Sequence, residues 1–442
     1  MRPVLANLGF ILQIAGLLMV VPIAAGFYYK DTLPLISFFI TSLIFFGSGF
    51  LLNAFCVRKE LDIVYSSMLL CLVFVILGAI GAIPYLYGSV FQGSVFSTVT
   101  HSFFESVSGY TTTGFSLVPD IDLWPKSLIL YRGLTQWIGG IGIVFILLAF
   151  FYPSTAVTVS GLATIVGIDK IGQGIKKFIL NILFVYTLLV ILFAAALYLL
   201  GLREIHQAVS IVFAAVSTGG FSPLTDFSSL FTMGMDWILI IAMFAGAINF
   251  LMLNRLVDRK FKYEHKWEFI TFAGIILLGF LAFFFTAGLS FSSSFLHVVS
   301  ASTTTGFQSI DLSKLSETAK LILMFLMFVG GMSVSTAGGI KVFRLMLFIK
   351  FIPWSIQKYI FDTKEPFTIE DEEVTEKEIY AHSLVPITAI LLIFIGTMIF
   401  TSAGFKFIDS LFEVISAFSN TGLSTNVAAS APLGLQWLLA GI

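Results

Sequence analysis

One short phrase of small hydroxyl residues and glycine returns four times along this chain, and it constrains the fold more than any other feature. It reads VSGYTTTGFS from Val107 to Ser116, AAVSTGGFSP from Ala214 to Pro223, SASTTTGFQS from Ser300 to Ser309 and SAFSNTGLST from Ser416 to Thr425. Aligned on the glycine before Phe or Leu, Gly114, Gly220, Gly306 and Gly422 become equivalent at wide, roughly even intervals. Such periodicity is the signature of one structural unit used repeatedly.

Each copy follows an apolar stretch too short to cross a bilayer and precedes a loop leading into a longer apolar run. This is the pattern of a re-entrant loop. Glycine adopts positive φ without steric cost, which allows successive carbonyls to point the same way. Four such loops about one axis can replace the water shell of a bare cation with backbone oxygens. The alternative is that Ser/Thr/Gly runs serve only close helix contacts, as they often do in membranes; four copies in matching context favour the pore.

The surroundings are those of a membrane protein. Of 442 residues, 58% are hydrophobic and 11% charged, with a mean hydropathy of +1.00. A spanning helix needs roughly 20 apolar residues, and runs of that kind number about ten. The net charge of −1 gives no bulk attraction to nucleic acid. Cys56 and Cys71 flank an expected cytoplasmic turn and receive no role. The first run, Leu8 to Phe27, is too long for a signal core of roughly 7–15 residues. With Leu33 to Val57 it reads as a membrane hairpin, the alternative being a secretory signal peptide.

The expected organisation is an all-α membrane protein: the hairpin over residues 1–60, then four pseudo-symmetric helix–pore-loop–helix units around one pore, over 61–177, 178–266, 267–381 and 382–442. The unit-two return run is expected to be helical from Asp236 to Leu253. The last run, from Pro432 to Ile442, is too short to cross, so the final helix is expected to be truncated in this sequence.

Charge tests the topology. With a cytoplasmic amino terminus, the inner segments carry Arg2, Arg58, Lys59, Lys170, Lys176, Lys177, Arg255, Arg259, Lys260, Lys262, Lys266, Lys341, Arg344, Lys350, Lys358, Lys364 and Lys377. The outer segments keep only Lys30, Lys126, Arg132, Arg203, Lys314, Lys320 and Lys406. The positive-inside rule predicts this asymmetry, and all four loops then enter from outside. Glu105 and Glu413 share one repeat position, nine residues before the aligned glycine. Unit two has Ile211 there and unit three His297. A buried acid at that depth must be paired or protonated, so the two are expected to brace the short helices, not to bind the ion.

The run from Thr318 to Lys350 would make a straight helix of about 50 Å, too long for a hydrocarbon core. Its middle, GGMSVSTAGG, holds Gly330, Gly331, Ser333, Ser335, Thr336, Gly338 and Gly339. Each glycine costs a helix about 1 kcal/mol relative to Ala, so the segment is expected to unwind. Irregular backbone at this depth lines water or is buried in protein. It is therefore expected to be a movable constriction below the filter, or else a kink for close packing. Lys341 and Arg344 follow three residues apart, on one helix face, free either to reach headgroups or to meet a partner in the cavity. The acid-rich stretch Glu365 to Glu378 reads as a solvated cytoplasmic connector.

With TTTGF, STGGF, TTTGF and SNTGL in four units and GGMSVSTAGGIKVFR in the third return run, the chain resembles the Trk/Ktr/HKT superfamily of cation transporters over nearly its whole length. The amino-terminal hairpin brings it nearer to the TrkH type than to KtrB. The resemblance implies potassium uptake across the cell (inner) membrane through a pseudo-fourfold pore. It also implies a homodimer and a cytosolic TrkA-type nucleotide-binding regulator. The chain itself is expected to bind no cofactor beyond potassium. Carried over by position, the ion-lining carbonyls are those of Thr111, Thr112, Thr113 and Gly114; Ser217, Thr218, Gly219 and Gly220; Thr303, Thr304, Thr305 and Gly306; and Ser419, Asn420, Thr421 and Gly422. The gate implied is Gly330 to Gly339 together with Lys341 and Arg344. Retention of Gly114, where serine accompanies sodium preference in the family, implies potassium. Leu423 replaces the usual Phe. A sodium- or proton-coupled symporter remains the alternative. No H-E-x-x-H, P-loop or G-x-S-x-G motif supports an enzyme.

Overall fold

The structure is a computed structural model that describes residues 2–442 apart from 58–60, 62, 89, 92, 119, 152–173, 254–265, 361–365 and 370–371. The expected inner charges Arg58, Lys59, Lys170, Arg255, Arg259, Lys260, Lys262 and Lys364 lie outside the described residues. So do Glu365, Glu370 and Asp371 of the connector.

Apolar runs become helices because a bilayer forces every backbone polar group to bond within its own segment. Six helical spans among the described residues are long and apolar enough to cross a membrane: Arg2–Tyr29, Thr32–Phe55, Val64–Tyr87, Leu180–Leu200, Lys266–Ala287 and Glu378–Ser402. The first two form the expected hairpin. They approach closely at glycines, since a Cβ on Gly9 would meet the Gly49 carbonyl at 2.8 Å, and the Ser42 hydroxyl donates to the Gly16 carbonyl at 2.9 Å. Small residues at the crossing permit this contact. At the hairpin tip Asp31 accepts from the Ser127 amide and hydroxyl at 2.9 and 2.7 Å, which ties the hairpin to unit one.

Each of the other four spans is followed by a short pore helix: Val95–Tyr110, Ile205–Val216, Phe291–Ser302 and Phe407–Phe418. At 12 residues the last three reach only about 18 Å, so they end inside the membrane thickness. Return legs follow at Lys126–Phe151, Met235–Ala247 and Glu317–Val329, and the fourth unit ends in Val427–Ser430 and Leu433–Gly441. The large side chains left exposed, among them Phe50, Phe184, Leu278 and Phe394, form the outer apolar surface that lipid covers.

Two expectations need correction. The unit-two return leg is not one helix to Leu253. It stops at Ala247 and resumes after Ile248 and Asn249, because its backbone bonds with unit three instead. The connector is not wholly solvated either. Thr368–Ile369 pairs antiparallel with Glu372–Glu373, and alternation along F-T-I puts Phe367 and Ile369 on one face. Both are buried with Leu347 and Ile379, and Phe367 packs on Trp354 with ring centroids 5.3 Å apart. The following helix, Glu376–Ser402, starts on a capping box from Thr375 and Glu378.

Candidate functional site

Each pore helix ends in the same turn. Thr112, Thr218, Thr304 and Asn420 take φ between 52° and 57°, and Gly114, Gly220, Gly306 and Gly422 take φ between 80° and 93°. A β-branched residue in the left-handed region is strained, and local bonds hold it there. Thr113, Gly219, Thr305 and Thr421 each donate an amide back to the pore helix, to the carbonyls of Ser108, Ala214, Ser300 and Ser416 respectively, at 2.7–2.9 Å. One hydrogen-bond pattern thus produces one conformation four times.

The glycines then bring the loops together. A Cβ on Gly114 would overlap the Gly219 carbonyl, on Gly220 that of Thr305, on Gly306 that of Thr421, and on Gly422 that of Thr113. The contacts run from unit one to two, three, four and back to one, which closes a ring. Only glycine meets both the positive φ and this approach. The carboxyl ends of the pore helices carry the negative end of the helix dipole toward the ring. On one side of it the four glycines line a cavity of about 210 Å³, with Ser116, Arg132, Phe307, Gln308 and Asn426 in its wall.

Beyond each glycine the chain is clamped to its own pore helix in three of the four units. Glu105 accepts from the Ser116 hydroxyl and the Leu117 amide at 3.1 and 3.2 Å. Glu413 accepts from the Ser424 hydroxyl and the Thr425 and Ala428 amides at 2.6, 3.0 and 2.7 Å. His297 Nε2 accepts from the Ser309 amide at 3.2 Å, while Nδ1 meets the Ser293 carbonyl at 2.7 Å. The unit-two position that corresponds to Leu117, Ser309 and Thr425 is Pro223. Proline has no N–H, so an acceptor would have nothing to take, and Ile211 fills the place. At the rim Asp311 accepts from the Ser313 hydroxyl at 2.7 Å. That bond first, with the Ser313 amide and Lys314, holds its carboxyl below the ordinary range against the opposing effect of partial burial.

Under the ring the third return run breaks as expected: the helix ends at Val329 and a new one starts at Val342. Bonds from the Ile340, Lys341 and Val342 amides to the Phe328, Val329 and Gly331 carbonyls, at 2.9, 2.9 and 3.0 Å, pinch the loop at its neck. Its crown touches the ring directly. The Gly338 amide donates to Thr304 Oγ1 at 2.6 Å, and a Cβ on Gly338 would overlap the Ser419 carbonyl. Its flank replaces the missing helix bonds of unit two. The Met332 amide donates to the Ala247 carbonyl at 3.2 Å, the Phe250 amide to the Val334 carbonyl at 2.9 Å, and the Thr336 hydroxyl to the Gly246 carbonyl at 2.9 Å. The Ser333 amide donates to buried Glu268 at 2.6 Å. Gly330 and Gly339 pack on each other at the neck, and the Ser335 hydroxyl donates to the Met332 carbonyl at 2.6 Å.

The comparisons with known proteins point to cation transport. The sequence model of the TrkH family, described as "Cation transport protein", matches residues 284–434. An uncharacterised cation transporter of Methanocaldococcus jannaschii is 29% identical over 96% of this chain and 88% of its own length. The Trk system potassium uptake protein TrkH of Escherichia coli K12 is 30% identical over 64% of this chain, a span that covers 61% of that protein. The chain is similar to cation transport proteins of the TrkH family. The crystal structure of the potassium transporter TrkH from Vibrio parahaemolyticus shares the fold, with a TM-score of 0.84 at 22% identity, covering 100% of this chain and 95% of that one. Its membrane-length helices and its likeness to cation transport proteins mark the chain as a multi-pass membrane transporter and not an enzyme.

Lys341 and Arg344 do not share a helix face. Lys341 precedes the helix with φ 76°, because the neck bonds turn the backbone there. Its ammonium donates to the Ala337 carbonyl inside the loop, and Arg344 donates to the Ile340 carbonyl at 2.8 Å. Two cations counted as outer charges are buried. Arg132 pairs with Glu105 at 2.6 Å and donates to the Ser222 carbonyl of unit two at 2.8 Å. Lys320 pairs with Asp409 of unit four at 2.7 Å. Gln136 is a site residue that the sequence pattern does not single out, although a glutamine and an arginine four residues apart in an apolar run share one helix face and ask for buried partners.

Proposed function

We propose that this chain conducts potassium ions into the cell through the ring of loop carbonyls. The observation that carries the reading is the closed circuit of contacts, in which each glycine backbone abuts a carbonyl of the next loop. Four such loops at helix carboxyl ends suit a desolvated monovalent cation. The relatives, potassium uptake proteins of Trk systems, support potassium as the ion. On the same reading the loop from Gly330 to Gly339 is the gate, since its crown abuts the ring. The chain sits in the inner membrane with its amino terminus in the cytoplasm, acts as a homodimer, and answers to a cytosolic nucleotide-binding regulator of the TrkA kind.

Channel-like conduction is favoured over symport by the state of the three groups best suited to a coupling site. Glu105, His297 and Glu413 are all occupied by loop amides or hydroxyls. The test is reconstitution into potassium-loaded liposomes with radioactive rubidium outside. Uptake is expected to follow the electrochemical gradient, to be indifferent to a sodium or proton gradient, and to admit sodium in Gly114→Ser. Uphill uptake driven by a sodium or proton gradient would instead establish the symporter.

A further inference from the structure

The second filter loop differs from the other three at one position. Where those carry Thr113, Thr305 and Thr421, it carries Gly219. In the three threonine loops the hydroxyl pairs with one two residues earlier, Thr111 with Thr113 at 2.7 Å, Thr303 with Thr305 at 2.8 Å and Ser419 with Thr421 at 2.7 Å. The earlier hydroxyl also meets a pore-helix carbonyl, that of Val107, Val299 or Ile415, at 2.7–2.8 Å. Each of these loops is thereby pinned to its own pore helix by a two-hydroxyl relay. Ser217 keeps the helix bond, to the Phe213 carbonyl at 2.6 Å, but Gly219 has no hydroxyl to complete the relay.

Gln136, buried on the return helix of unit one, stands in its place. Its Nε2 donates to the Gly219 carbonyl at 2.5 Å and its Oε1 accepts from the Phe221 amide at 3.1 Å. With both ends used, the amide's orientation is determined. The φ of Gly219 is not positive, so the backbone does not demand glycine there. What demands it is Gln136, whose Cδ would stand 2.5 Å from a Cβ on residue 219. The glycine and the glutamine are two halves of one device.

The Gly219 carbonyl occupies the place in the ring that the Thr113, Thr305 and Thr421 carbonyls hold elsewhere, and among the described residues it alone of these four takes a side-chain donor from another unit. We infer that Gln136 is a positioning residue that sets the ion preference of the filter by holding the Gly219 oxygen back from the axis. This rests on the reading of the loops as a potassium path. Released from Gln136, the oxygen moves inward, accommodates a smaller cation, and lets sodium compete.

The experiment compares rubidium and sodium fluxes in proteoliposomes of wild type, Gln136→Met, Gly219→Thr and the double variant Gln136→Ala/Gly219→Thr, each checked for monodispersity and thermal unfolding. Gln136→Met keeps the side-chain length and removes both hydrogen bonds. It is expected to lower the rubidium-to-sodium ratio roughly fivefold to tenfold, the worth of about one hydrogen bond. Gly219→Thr alone is expected to lose flux by collision with Gln136. The double variant removes that collision and supplies the missing hydroxyl, so it is expected to recover most of the wild-type ratio, which a loss of general stability would not allow. An unchanged ratio in Gln136→Met, or a double variant no better than the worse single one, overturns the inference while wild-type selectivity stands. A wild type without selective rubidium flux overturns the transport reading itself, and this one with it.

Discussion

The four ring loops and the loop beneath them are drawn from the same residues, serine, threonine and glycine, yet they are held by opposite means. Each ring loop bonds to its own pore helix within a few residues, and Glu105, His297 or Glu413 clamps the outgoing strand of three of them. The lower loop is pinched at its neck and bonded within by Ser335 and Lys341, but its crown and flank lean on other parts of the molecule: Thr304 of the ring, Gly246, Ala247 and Phe250 of unit two, and Glu268 of the preceding span. A loop bonded locally is as rigid as the helix that carries it. A loop held at scattered points can leave them one by one without unfolding any unit, as a moving element must.

The largest effect is expected where the local bracing rests on a buried charge pair. Arg132→Leu leaves Glu105 buried without its cation, which typically costs about 3–5 kcal/mol. Thermal unfolding in detergent should show a marked fall in Tm, and a small one would mean that the bracing is not what holds the ring. Next, Gly306→Ala sets a methyl against the Thr421 carbonyl at φ 93°. Strain of about 2–3 kcal/mol corresponds to a loss of rubidium uptake on the order of a hundredfold, measured per folded protein.

The lower loop should respond in the other direction. Thr304→Val keeps the β-branched shape and removes the acceptor of the Gly338 amide. If this loop is the proposed gate and its contact with the ring obstructs the path, removing that hydrogen bond should raise flux roughly tenfold with the rubidium-to-sodium ratio unchanged. A changed ratio would show that ring and loop are not separable. The smallest effect is expected at the exposed pair of Lys126 and Glu204, 2.8 Å apart. Solvent screens such pairs, so Lys126→Ala should leave both Tm and flux where they were.

What can be read from the sequence follows the same division. The ring glycines, the short helices before them and the break after Val329 are local features, written in consecutive residues, and the structure places each turn and helix end at those residues. The roles of Glu105 and Glu413 are also legible, because a buried acid demands partners. What escapes is long-range. Nothing near Asn249 announces that the helix of unit two gives up its bonds to residues 332–336, and nothing in the run around Gln136 names Gly219 as its partner. Lys341 departs from expectation because regular helix geometry does not extend back to it, past a neck made by bonds to Val329 and Gly331.

The most direct test of the central claim is to locate the ion. Anomalous diffraction from crystals grown in rubidium should place peaks on the axis of the ring, within bonding distance of the carbonyls of Thr113, Gly219, Thr305 and Thr421. Rubidium bound away from that axis, with none inside the ring, would contradict the account.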